Sequence, residues 1–138
     1  MKKFYLVWDD SRHKLGIASI DRQHRGLMDL VNELSEEVEH GCDYARVRQK
    51  IEQILRFTED HFAHEEELMR QHDFPGLAQH VVEHGKLLEE ISTLLETLTP
   101  DNTNRALLVT AFLTDCAENH ILSEDRALTQ YLRGKGLS

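Results

Sequence analysis

Apolar residues recur along this chain in steps of three and four. Leu27, Val31, Leu34 and Val38 share one face of a helix, because such spacings place side chains one turn apart. Gly41 ends that stripe, and Asp43 is placed to cap a second helix whose stripe is Val47, Ile51, Ile54, Thr58, His61 and Leu68. The segment His72-Asp73-Phe74-Pro75-Gly76 breaks the period. A third stripe follows in Leu77, Val81, Leu88, Ile91, Leu95 and Leu98, ending near Thr99-Pro100, where proline suits the first turn of a new helix. The fourth runs through Leu107, Val109, Phe112, Leu113 and Cys116 toward Leu132. No stretch alternates cleanly as a strand does, and no Asn-Gly or Asp-Gly joins two β-rich runs. Short connections make successive helices antiparallel neighbours. The predicted fold is therefore all-α: an up-down-up-down antiparallel four-helix bundle over residues 21–133, preceded by an N-terminal arm (1–20), in a single domain of 138 residues. A looser helical array is the alternative.

Composition narrows the function. A chain of this length, 40% hydrophobic and 30% charged, buries roughly 70% of its unfolded surface and needs no staples. A formal charge of -9 without a basic stripe argues against nucleic acid, whose phosphates demand clustered Lys and Arg. The apolar stretch Phe4 to Trp8 is too short for a signal-peptide core, and no later run is long enough to span a bilayer. Cys42 and Cys116 form no C-x-x-C pair, so both are expected as free thiols in a reducing compartment, and the chain as cytoplasmic.

Nine histidines change the picture. His24, His61, Glu65, His80, His84 and His120 all continue apolar stripes and should point into the core. His61 and Glu65 are four apart, as are His80 and His84, and each pair forms a chelate on one helix face. In antiparallel order, the start of the first helix, the end of the second, the start of the third and the lower part of the fourth return to one end of the bundle. There the rise of about 1.5 Å per residue brings His24, His61, Glu65, His80, His84, His120 and Asp125 within a few turns of each other. Five imidazoles and two carboxylates buried without partners would cancel a typical folding stability, and divalent cations neutralise such a set directly. One spacing resists this reading. Asp125 is five residues after His120, about 140° around an ideal helix, whereas Glu124 is better placed; a local π-type widening would bring the fifth residue round.

These residues resemble the hemerythrin family. The matching text is Trp8-Asp9, Gly16-Ile17, Ile20-Asp21-Arg22-Gln23-His24, His61-Phe62 with Glu65-Glu66 and Met69, Phe74-Pro75, His80-x-x-x-His84, and His120-Ile121 with Asp125, across nearly the whole chain. The resemblance implies two iron ions, with His80, His84 and His120 on one and His24 and His61 on the other. Glu65 and Asp125 would bridge them beside an oxo or hydroxo group, and Asp125 is preferred over Glu124. It further implies reversible binding of molecular oxygen for carriage, storage, delivery or sensing, with a protein partner possible for the last two. The competing class is a di-iron enzyme acting on peroxide or nitric oxide, for which no second acid-base group is evident. Where the family often has tryptophan then leucine ahead of the last histidine, this chain has Cys116 and Ala117, and a roomier oxygen pocket is expected.

The remaining candidates take plainer readings. His13, His40, His64 and His72 are expected at the surface or the bundle ends, and Glu66 and Glu67 on a solvated acidic face. Cys116 is expected as a small buried hydrophobe, Trp8 as packing the arm over the bundle, and Met28, Met69 and Phe112 as core fillers.

Overall fold

A computed structural model describes residues 5–41 and 43–138, apart from the side chains of Thr103 and His120. Cys42 and the Phe4 end of the apolar N-terminal stretch lie outside the described residues. The elements are α1 (Asp10–His13), α2 (Ala18–Glu39), α3 (Tyr44–Gln71), α4 (Leu77–Thr97), α5 (Thr103–Asp115), one π-helical turn (Cys116–His120) and α6 (Ile121–Gly134). Together α5, the π turn and α6 make the fourth rod of an up-down-up-down antiparallel four-helix bundle. In it α2 packs on α3, α3 on α4, and the fourth rod lies between α4 and α2. Among the described residues no helix is long and apolar enough to cross a membrane.

Local chemistry sets the boundaries. Asp43 caps α3, its Oδ1 accepting from the amides of Ala45 (3.0 Å) and Arg46 (3.3 Å). Gly41, at φ 117°, supplies the left-handed residue that lets α2 turn away. The last rod starts later than the proline suggests: Pro100 stays in the connection, and Asn102 caps α5 by accepting from the Arg105 amide. Tyr131 of α6 ties the α3–α4 turn down, its hydroxyl donating to the carbonyls of His72 (2.8 Å) and Asp73 (3.1 Å). The first bundle helix begins at Ala18, and the arm before it contains the short α1.

The core follows the predicted stripes with two corrections. Leu27, Val31, Leu34, Val47, Ile51, Ile54, Ile91 and Val109 are buried, but Val81 is 42% exposed and Leu107 44%. In α4 the inner face is His84, Leu87, Ile91 and Leu95, with Val81 one residue off it. Two apolar clusters form, a large one through the body of the bundle and a smaller one of Ile17, Ile20, Met69, Leu128 and Leu132 at the end that holds the α3–α4 turn. The polar set lies between them.

Candidate metal centre

Helical spacing delivers the candidate side chains from three rods, and a register shift delivers Asp125. His24 on α2, His61 and Glu65 on α3, and Asp125 on α6 each offer an atom within 4.8 Å of the others, and His80 and His84 on α4 meet Asp125 the same way. Glu65 is 0% exposed, Asp125 and His61 1%, and His80 is half-buried. His120 closes the π turn, and its side chain lies outside the described residues.

Asp125 reaches this group because of the π turn. Before it, buried positions run Val109, Leu113 and Ala117; after it, they run Ile121, Asp125, Leu128 and Leu132. An α-helix continued from Ala117 would put positions 120 and 124 inside, whereas one extra residue in the turn moves the inward series to 121 and 125. The Ile121 amide bonds to the Cys116 carbonyl, the i to i+5 link of a π turn. Periodicity alone favours Glu124, which is half-buried beside the buried Asp125.

Side-chain partners fix the orientation of two of the imidazoles. His61 Nδ1 donates to the Gln23 side-chain oxygen at 2.7 Å, which turns Nε2 toward Asp125 Oδ2 (3.3 Å) and Glu65 Oε2 (3.2 Å). His84 Nδ1 donates to Glu66 Oε2 at 2.9 Å, and its Nε2 comes within 3.3 Å of Glu65 Oε1 without the alignment of a hydrogen bond. His24 Nε2 lies 2.7 Å from Asp125 Oδ2. Both Glu65 oxygens, His24 Nδ1, His80 Nδ1 and His84 Nε2 are buried without a hydrogen-bond partner. Buried polar atoms are almost always satisfied, so a cluster of orphans converging from separate helices fits a bound cation.

Charge points the same way. Burial raises the Glu65 carboxyl well above the ordinary range, and the nearby Asp125 carboxylate adds to the shift. Burial would raise Asp125 too, but the Glu65 carboxyl and the imidazoles of His24 and His61 outweigh it and hold Asp125 low. Without a cation, burial and Asp125 thus favour the protonated form of Glu65, while Asp125 is favoured ionised. Burial acts to lower His84, yet the carboxylates of Glu65 and Glu66 beside its ring outweigh it, while half-buried His80 is lowered, chiefly by burial.

Glu66 is thus not on a solvated face, as the sequence suggested, but braces His84. Neither is His13 at the surface: it is 1% exposed beneath the arm, its Nε2 3.1 Å from Glu118. His64 is half-buried with Nε2 2.9 Å from the Ser19 hydroxyl, and His40 is exposed. Above the ligand level, Leu27, Val31, Ile54, Thr58, Leu87, Ile91, Leu113, Cys116, Ala117 and Ile121 enclose a cavity of about 10 Å³, close to the volume swept by one water-sized sphere. The small residues at 116 and 117 therefore leave little extra room. Burial pushes the Cys116 thiol up to about 12, so it behaves as the expected small hydrophobe.

Comparisons with known proteins agree with this architecture. The model of the hemerythrin HHE cation binding domain matches residues 15–132. A bacteriohemerythrin of Stenotrophomonas maltophilia is 33% identical over 87 residues, covering 63% of this chain and 56% of that protein, so the matched stretch spans about half the relative's length. A bacteriohemerythrin of Clostridium acetobutylicum is 26% identical over 125 residues, covering 88% of this chain and 96% of that protein. The crystal structure of a wild-type hemerythrin superposes with a TM-score of 0.68 at 20% identity, covering 83% of this chain and 90% of that one, which shows the shared fold.

Proposed function

This chain belongs to the hemerythrin family, and on that premise we propose that it is a non-heme di-iron protein that binds molecular oxygen reversibly. The observation that carries the reading is the pair of buried carboxylates, Glu65 and Asp125, faced by histidine Nε2 atoms from separate helices while Gln23 and Glu66 hold the opposite ring nitrogens. In this reading His80, His84 and His120 would hold one iron and His24 and His61 the other, with Glu65 and Asp125 available to both. When bound, the iron pair supplies the electrons that make oxygen binding possible and reversible.

The rest is the work of the chain. With imidazole as the main donor, the site carries less negative charge than a glutamate-rich di-iron bundle, and so gives less drive to highly oxidised iron. The wall above the ligands is apolar apart from Thr58, whose hydroxyl donates to the Ile54 carbonyl at 2.7 Å, and the Cys116 thiol holds its proton. That wall excludes bulk water and offers no ready acid, which favours holding oxygen over reducing it.

Anaerobic reconstitution with ferrous iron tests the reading. About two irons per chain and a coloured oxygen adduct that argon reverses are expected. A protein that takes up no iron pair, or that consumes oxygen, peroxide or nitric oxide catalytically without a reversible adduct, would assign it elsewhere.

A further inference from the structure

A π turn is rare and persists where its surroundings hold it. Here its middle residue, Glu118, reaches out of the bundle to the N-terminal arm. Glu118 Oε1 meets Arg12 Nη2 at 2.6 Å and Oε2 meets His13 Nε2 at 3.1 Å. The Arg12 side chain is 58% exposed, so its contribution is small. His13 differs: it is 1% exposed and fixed from both sides. The Asp9 amide donates to His13 Nδ1 at 2.8 Å, which assigns the ring proton to Nε2 and aims it at Glu118. Asp9 in turn caps α1 through the Ser11 amide (3.0 Å), and the Trp8 ring lies 5.4 Å from the His13 ring. The arm is fastened independently where Asn32 exchanges two 2.7 Å hydrogen bonds with the Leu6 backbone, and where Asp21 accepts from the amides of Leu15 (2.8 Å) and Gly16 (3.1 Å).

We propose that His13 is a positioning residue: through Glu118 it holds the π turn in the register that carries Asp125 onto the inner face, so that an arm contributing no ligand sets the metal affinity of the centre. The inference rests on reading His120 and Asp125 as ligands. It gives a structural reason for a histidine buried outside the four helices, and makes the His13–Glu118 contact, rather than the arm's fastening at Leu6, the precondition for a tight site.

The test uses the full chain. His13→Phe keeps the ring volume and removes the Nε2 donor; Glu118→Gln keeps an oxygen acceptor for His13; Asn32→Ala loosens the arm at Leu6 without touching Glu118. Amide exchange at Ile121 relative to Val31 is measured in metal-free protein, and ferrous or cobaltous affinity by competition with a chromophoric chelator. His13→Phe should lower both the relative protection of Ile121 and the metal affinity by about tenfold, Glu118→Gln should retain most of both, and Asn32→Ala should leave both near the parent values. Should His13→Phe not fold, Glu118→Ala carries the same expectation from the other side of the contact. Parent-like exchange and affinity in the variant, or equal losses in Asn32→Ala, overturn the proposal. A parent that binds no metal defeats the di-iron reading instead, and exchange at Ile121 still decides the latch.

Discussion

A buried imidazole has two nitrogens to satisfy, and at His61 and His84 the protein spends one on a neighbouring side chain so that the other is aimed inward. Gln23 does this for His61 and Glu66 for His84. Glu66→Ala should therefore weaken metal binding by about 10–100-fold, while Glu67→Ala, one residue on and exposed, should change nothing; chelator competition separates them. Glu65 carries a second prediction. Because burial and Asp125 raise its carboxyl above the ordinary 4.5, the metal-free native state holds a proton that the unfolded chain releases. Its contribution to stability is thus full below pH 4.5 and declines as pH rises through the raised value. Glu65→Gln removes that decline. The variant's metal-free stability, read by thermal melting, should exceed the parent's by an amount that grows with pH above 4.5, reaching the order of 1 kcal/mol, the scale of an uncompensated buried polar group, while its metal affinity collapses. A parent curve that does not fall with pH relative to the variant would count against the assignment. The inward-facing residues were legible because helical period reports burial directly. Glu66 was not, since it lies about 100° from Glu65 on the wheel, at the edge of the buried face, and only the position of α4 decides whether such an edge meets water or His84. His13 was less legible still, as it belongs to none of the four periodic stripes; its one clue is its place four residues after Asp9, whose backbone amide donates to its Nδ1.

At the scale of elements, the fourth rod is where period and structure diverge. A strict 3.6-residue repeat carried through Leu113 and Ala117 selects Glu124, and the extra residue in the π turn selects Asp125. The change of phase can be read in hindsight from Ile121, Leu128 and Leu132, which fit an inward series containing 125 and not 124. What the sequence does not display is where the extra residue goes. The π turn keeps Asp125 in step with Ile121, Leu128 and Leu132 on the apolar face of α6. Deleting Asn119, an exposed residue whose side chain donates to Asp115, should relax the turn to an α-helix. Far-UV circular dichroism should then show undiminished helicity and α6 should keep its packing, but position 120 should rotate by about 100° away from the site. Metal stoichiometry should fall, or affinity drop by at least about tenfold. Unaltered iron content and affinity in the deletion variant would mean that the turn is incidental to the centre. By contrast α4 was misread by a single position at Val81, because two adjacent valines, Val81 and Val82, both look apolar while the histidines between which they stand claim the inner face.

For the whole molecule, the buried polar layer separates two hydrophobic clusters, and the stability of the fold depends on what occupies that layer. In the metal-free chain, burial favours a proton on Glu65, and both its oxygens and several ring nitrogens lack hydrogen-bond partners, so the bundle's most expensive groups sit between its best-packed halves. A cation bound only by the native state stabilises it by RT ln(1 + [L]/Kd), about 4 kcal/mol at a thousandfold excess over Kd. For a chain of this size that corresponds to a rise in melting temperature on the order of 10 °C, and a chelator should reverse it. The pH dependence has a definite sign. Binding displaces the proton from Glu65, whose affinity for it is raised, and from His84, which the adjacent carboxylates also favour in the protonated form. Metal affinity should therefore climb as pH rises through those raised values and flatten once both groups are deprotonated, opposite in direction to the declining stability of the metal-free protein. The gap between loaded and metal-free melting temperatures should widen with pH, and calorimetric titration in buffers of different ionisation enthalpy should show protons released on binding. A gap that narrows as pH rises, or binding that releases no proton, would mean that the cation does not replace the proton that burial favours on Glu65.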